Sequence, residues 1–216
     1  MKVFEEMGVS GGKRIGIIAD SHGRPQAIVD AANFLYDLNC DKIIHLGDIC
    51  DTLHPETCDA CLATIQAHGV FAVKGNNDHM LQLNQEGNAG SPVSEKSLRF
   101  LRGLAPVIET NKAFFAHSLP FYEDMGIACI TRALGKNEIK QFFALPGERI
   151  LFRGHSHTPE LIWEKEGLYY REVFSKNQTV QLKPFLPCII TCGALTRSLC
   201  MVWNMESQEV TCLSVP

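Results

Sequence analysis

Short apolar runs alternate with segments of helical spacing over the first two-thirds of this chain. Arg14–Ala19 is an apolar run of strand length. Pro25–Leu38 follows with Ile28, Ala31, Ala32 and Leu35 at helical spacing, and with proline in the first turn, where its missing N–H is harmless. Lys42–Leu46 is predicted as a second strand. Pro55–His68 is predicted as a second helix, with Leu62 and Ile65 on one face and Gly69 as its stop, and Val70–Lys74 as a third strand. Strand, helix, strand, helix, strand predicts right-handed crossovers and a parallel sheet. Leu81–Ser97 is polar and rich in Gly and Asn, which predicts a surface loop. Lys112–Ala116 is predicted as a strand, Leu119–Gly135 as a mobile loop, Asn137–Ala144 as a short helix and Arg149–Arg153 as a strand. Beyond Thr158 the pattern is β. Leu161–Glu164, Tyr169–Phe174, Cys188–Cys192, Leu199–Asn204 and Glu209–Ser214 are predicted as strands, expected to pair antiparallel.

Composition narrows the class. A chain of 216 residues, 45% hydrophobic and 20% charged, fits one folded domain, here expected over 14–216 with residues 1–13 as a flexible extension. Twenty basic against twenty-four acidic residues leave a net charge of −4. Bulk charge therefore gives no attraction to nucleic acid or to an anionic membrane, and an anionic substrate must be drawn in locally, by a metal or a few placed cations. No apolar run approaches the roughly 18–20 residues of a membrane span. The start carries Glu5 and Glu6 and lacks the basic and apolar parts of a signal peptide, so the expectation is a cytoplasmic protein with reduced thiols. Of its nine cysteines, Cys58 and Cys61 have C-x-x-C spacing, but no second pair completes a zinc ribbon and they read as small hydrophobes.

The chemistry gathers where the predicted strands end. Asp20-Ser21-His22, Gly47-Asp48, Gly75-Asn76-Asn77-Asp78-His79, His117 and Gly154-His155-Ser156-His157 each follow an apolar run. In an open α/β sheet the carboxyl ends of parallel strands share one edge, where ligands bind. Residues two apart, such as Asp20 with His22 or His155 with His157, face the same side of an extended segment. Gly47, Gly75 and Gly154 permit tight turns and close backbone approach. Each piece alone has an ordinary reading as a cap, a polar turn or a satisfied histidine. Together they outline a metal site. Oxygen and imidazole donors without thiolate suit manganese, iron, zinc, cobalt or nickel; manganese is the expectation taken forward.

This motif series resembles that of the calcineurin-like metallophosphoesterases, and its compact spacing is most similar to their small bacterial and archaeal phosphodiesterases. The resemblance spans roughly residues 14–200. It includes Cys192-Gly193-Ala194-Leu195-Thr196-Arg197, similar to the segment that closes the site in these small members. It implies an α/β four-layer sandwich, two mixed sheets flanked by helices. It also implies two divalent metals, one held by Asp20, His22, Asp48 and His157 and the other by Asp48, Asn76, His117 and His155, with Asp48 shared. The implied activity is phosphodiester hydrolysis by a metal-bridging hydroxide, with a small phosphate ester as substrate.

One position departs from the pattern. Strongly catalytic members carry a histidine after the metal-binding asparagine; here Asn77 stands there and cannot give up a proton. Asn77 is expected to donate to the phosphoryl oxygens, Asp78 to orient its neighbours and Arg197 to contact the phosphate; both Asn77 and Asp78 count as candidate catalytic residues. His79 is a candidate replacement acid. The rival expectation is a metal-binding scaffold of the same fold with little turnover. Nuclease action would need a basic groove that the charge balance does not signal. The last strands can pack against a second subunit, though no sequence rule fixes the oligomeric state.

Overall fold

Two mixed sheets organise the computed structural model, which describes residues 2–3 and 14–216. The chain begins the first sheet with β2 (Arg14–Ile18), α1 (Pro25–Asp37), β3 (Lys42–His45), a 3₁₀ turn at Pro55–Thr57 leading into α2 (Cys58–Ala67), and β4 (Phe71–Ala72). β2, β3 and β4 are parallel, as the alternating pattern predicts. Next come α3 (Asn76–Gln85) and α4 (Glu95–Gly103), then β5 (Val107–Glu109) and β6 (Ala113–Ala116). After α5 (Tyr122–Met125), a 3₁₀ segment at Gly126–Ile130 and α6 (Lys136–Phe143) comes β7 (Ile150–Arg153). The rest is β8 (Glu160–Lys165), β9 (Leu168–Val173), β10 (Thr179–Gln181), β11 (Cys188–Thr191), β12 (Leu199–Asn204) and β13 (Glu209–Ser214). β1 (Lys2–Val3) pairs parallel with β5; the rest of the expected 1–13 extension lies outside the described residues. The sheet orders are β1-β5-β6-β7-β11-β8-β9 and β10-β13-β12-β2-β3-β4.

Alternation along the strands explains why the sheets stack. Ile15 and Ile17 of β2 face an inter-sheet core with Phe115, Phe152 and Trp203, while Ile18 joins Ile28, Ala31 and Leu35 of α1 on the other face. Likewise Phe114 and Leu151 turn away from the inter-sheet core, toward Ile139 and Phe142 of α6. Phe115 and Phe152 stack at 5.3 Å, and Trp203 lies 5.0 Å from Phe152. Each such buried side chain contributes about 1.5–3 kcal/mol of transfer free energy. The result is helices, sheet, sheet, helices: the four-layer sandwich. All nine cysteines are free and buried. No described helix is long and apolar enough to cross a membrane.

Two expected loops are corrected. Much of Leu81–Ser97 is helical: α3 runs to Gln85 and α4 starts at Glu95. A polar composition hides α3, which buries only Asp78, Leu81 and Gln82. α4 is started by Ser94, whose Oγ accepts from the Ser97 amide at 3.2 Å. Leu119–Gly135 holds α5 and the 3₁₀ segment, and the latter buries Cys129 and Ile130 against the second sheet.

Candidate metal centre

Both sheets deliver side chains to one end of the molecule. Asp20 and His22 follow β2, Asp48 follows β3 and Asn76 opens α3 beyond β4; His117 follows β6, and His155 and His157 follow β7. Backbone bonds zip these ends together: the Asp20 amide to Gly47 O at 3.1 Å, the His22 amide to Asp48 O at 3.0 Å, and the Gly154 amide to His117 O at 3.0 Å.

Alternation along an extended segment is not how the Asp20/His22 and His155/His157 pairs reach the centre. Asp20, His22, Asp48, His155 and His157 all have left-handed backbone, with φ of 55°, 43°, 55°, 69° and 59°. Such conformations cost roughly 1–3 kcal/mol each and persist where the surroundings over-determine them. Glycine permits a close approach here: a Cβ on Gly75 would lie 2.2 Å from Asp48 Oδ1, so no other residue lets α3 begin against that carboxylate.

The donor atoms fall into two sets. His117 Nε2, Asn76 Oδ1 and His155 Nδ1 form a triangle with sides of 2.9, 3.0 and 3.0 Å. Opposite them, His22 Nε2 and His157 Nε2 lie 3.1 Å apart, and Asp20 Oδ1 is 3.4 Å from His157 Nε2. Donors bound at about 2.0–2.2 Å to one transition metal stand roughly 3 Å from each other at right angles, so these spacings fit a cation in each set. Asp48 Oδ2 faces both, 3.8 Å from His22 Nε2 and 3.5 Å from His117 Nε2. Asp20, His22 and His157, and Asp20, Asp48 and His117, each bring ligand atoms within 4.8 Å of one another.

Supporting contacts aim the donors. His117 Nδ1 donates to Leu46 O at 2.9 Å, which fixes the tautomer and leaves Nε2 with a bare lone pair facing the centre. Burial, with smaller contributions from the His117 and Arg153 charges, pushes His155 down to about 4, so its ring is neutral and able to ligate at ordinary pH.

Asn77 is tied to Asp48 twice, by its amide to Oδ1 at 2.8 Å and by Nδ2 to Oδ2 at 2.7 Å, while its Oδ1 accepts from Thr52 at 3.2 Å. The fully buried Asp78 carboxylate accepts from the amides of Ile49, Cys50 and Gly75 at 3.0, 2.9 and 2.9 Å. It thus clamps the Asp48 loop to the start of α3. Burial, then the Asp48 charge, raises Asp78 to about 6. Arg197 is exposed, in a 3₁₀ turn. His79 makes no hydrogen bond to the ligand set, and its Nδ1 is buried without a partner.

Sequence reasoning passed over three supports. His45, held neutral by burial with its value near 3, accepts from the Gly47 amide at Nδ1 and meets Ser21 Oγ at 3.0 Å. Ser21 Oγ in turn donates to Ile49 O at 3.1 Å. Arg153, 2% exposed, donates to Ser118 O and Ser118 Oγ beside His117. A histidine and an arginine inside otherwise apolar strands were the available signals.

Comparison with known proteins bears on family and fold. Residues 14–172 match the family model of the calcineurin-like phosphoesterase superfamily domain. A metallophosphoesterase from Sphaerobacter thermophilus is 21% identical, with 95% of this chain and 89% of that chain covered and a TM-score of 0.74. A protein from Thermus thermophilus is 10% identical, with 95% and 100% covered and a TM-score of 0.52. These likenesses show a shared fold. No curated protein matches the chain.

Proposed function

Since the chain belongs to the calcineurin-like phosphoesterase superfamily, we propose that it is a cytoplasmic phosphodiesterase of small phosphate esters that uses two divalent transition-metal ions, manganese first among them. The observation that carries this reading is Asp48 Oδ2, set between His22 Nε2 and His117 Nε2 at 3.8 and 3.5 Å. Asp20, His22, Asp48 and His157 would hold one ion; Asp48, Asn76, His117 and His155 would hold the other. When bound, the pair would supply Lewis-acid polarisation of the phosphoryl group and an acidified water as nucleophile near neutral pH.

The chain's own residues do the rest. Asn77 spends one amide hydrogen on Asp48 and keeps a second, which can donate to a non-bridging phosphoryl oxygen as charge builds there. A carboxamide holds its protons at neutral pH, so Asn77 cannot protonate the leaving oxygen, and esters whose leaving group is a weak base are favoured. Arg197 adds a cation at the rim beside His157. Asp78 and His45 act through the Asp48 loop, as positioning residues.

Metal analysis of the reconstituted protein should find about two transition metals per chain. Hydrolysis of bis(p-nitrophenyl) phosphate should require manganese or a similar ion. Asp48→Ala should reduce it by more than the roughly 10–100-fold typical of outer-shell changes. Two bound metals with no turnover on any ester would identify a metal-binding scaffold instead.

A further inference from the structure

Two arginines at the rim remain after the ligands are assigned. Arg24 lies two residues beyond His22, and its Nη1 reaches Thr196 O at 3.5 Å. The segment it touches is bonded to the strand end that carries Asp20: the Leu195 amide donates to Ala19 O at 2.8 Å and the Thr196 amide to Asp20 O at 3.4 Å. The next residue is Arg197, exposed at the end of the 3₁₀ turn that this segment forms. The two guanidinium-bearing residues thus stand beside the strand end that carries Asp20 and His22, and both are exposed. Elsewhere Arg102, Arg132, Arg149 and Arg171 each pair with a glutamate. Among the described residues no carboxylate pairs with Arg24 or Arg197, and the first turn of α1 holds no acidic residue.

Charge and leaving-group chemistry point the same way. Two divalent ions, less the carboxylates Asp20 and Asp48 and the hydroxide nucleophile, would leave one positive charge, which a simple diester already balances, so two further unpaired cations call for more negative charge on the ligand. The guanidinium fork matches phosphate oxygens bidentately. Asn77 cannot act as an acid, which handicaps an alkoxide leaving group but not a phosphate, whose second ionisation lies near a pKa of about 6.

We propose that Arg24 and Arg197 form a second phosphate subsite beside the metal centre, and that the substrate class is the diphosphate diester, R–O–P–O–P–O–R′. The inference rests on the phosphoesterase reading above. In the step it implies, a water oxygen bonds to the scissile phosphorus and the bond from that phosphorus to the bridging oxygen breaks. The bridging oxygen leaves on the second phosphate, which the two arginines hold. The products are two phosphate monoesters, and the two protons of the water pass to solvent or to the products. No oxidant, reductant or protein acid is needed.

The test uses the metal-reconstituted full chain. Equilibrium dialysis should show ADP bound about 10–100-fold more tightly than AMP, the range expected of charge-assisted bonds to a second phosphate. That preference should collapse to about threefold or less in Arg24→Ala and Arg197→Ala, and recover in part with lysine at either position. Diadenosine diphosphate should be cleaved to AMP alone. Equal binding of ADP and AMP by the wild type, or a preference that survives both substitutions, overturns the subsite. Manganese-dependent turnover of bis(p-nitrophenyl) phosphate, which has no second phosphate, reports separately on the phosphoesterase reading. If that turnover persists without the ADP preference, only the subsite is wrong. If no ester is turned over, the underlying reading fails, and the dialysis still judges the subsite.

Discussion

Asp20 and His157 set the acid–base character of one donor set. Burial alone would raise the Asp20 carboxyl, but the hydrogen bond with His157 and the neighbouring imidazole charges hold it below its ordinary 3.8. The same bond raises His157 above its ordinary 6.5, against burial. In the metal-free protein the His157 contribution to stability is full below the ordinary imidazole value and is lost as pH rises through the raised one. The Asp20 contribution is full above the ordinary carboxylate value and is lost as pH falls through the lowered one. A cation entering this set must displace the His157 proton. Calorimetric manganese titrations near pH 6.5, run in two buffers of different ionisation enthalpy, should therefore reveal proton release that His157→Gln removes. Heats independent of buffer would show that His157 does not take part.

At the scale of elements, the decisive joint is between α3 and the loop after β3. Asp78 accepts from three backbone amides there, and a buried amide left without its partner costs about 1–3 kcal/mol. Removing a carboxylate whose burial raises it to about 6 returns part of that cost. Asp78→Ala should then lower stability by about 2–4 kcal/mol in urea unfolding and weaken metal binding together with it. An unchanged urea midpoint would show that the clamp is redundant. The same joint hides the start of α3 in the sequence. Gly75-Asn76-Asn77-Asp78 has the composition of a turn, yet Asp78 caps the Gly75 amide at 2.9 Å and starts a helix. A glycine followed three residues later by aspartate was the legible signal, weaker than the usual Ser or Thr cap.

Across the whole molecule, the centre stands where two sheets meet, with Asp20, Asp48 and Asn76 from one and His117, His155 and His157 from the other. Ions bound there would tie the sheet ends to each other. A ligand at 100 times its dissociation constant adds about 2.7 kcal/mol, which for a chain of this size is about 5–10 °C in Tm. Thermal melts with manganese and with chelator should differ by that amount, and Asp48→Ala should erase the difference. Equal melting temperatures in the wild type would mean that the donor sets do not hold ions across the interface.

The sequence by itself determined the donor types, their order and their place after apolar runs, because β alternation and strand length are local properties. It also determined the missing acid at Asn77, since residue identity needs no fold. The grouping of the donors was legible only through the family resemblance and is made physically by the tertiary structure, because His22 and His157 stand 135 positions apart and meet through packing of the two sheets. The tertiary structure decided the left-handed backbone at five candidate ligands, and the His117 tautomer, which a hydrogen bond to Leu46 O from a distant segment imposes. It also brought Arg24 to the segment of Arg197, 172 positions from its acceptor Thr196, a proximity that no local pattern encodes.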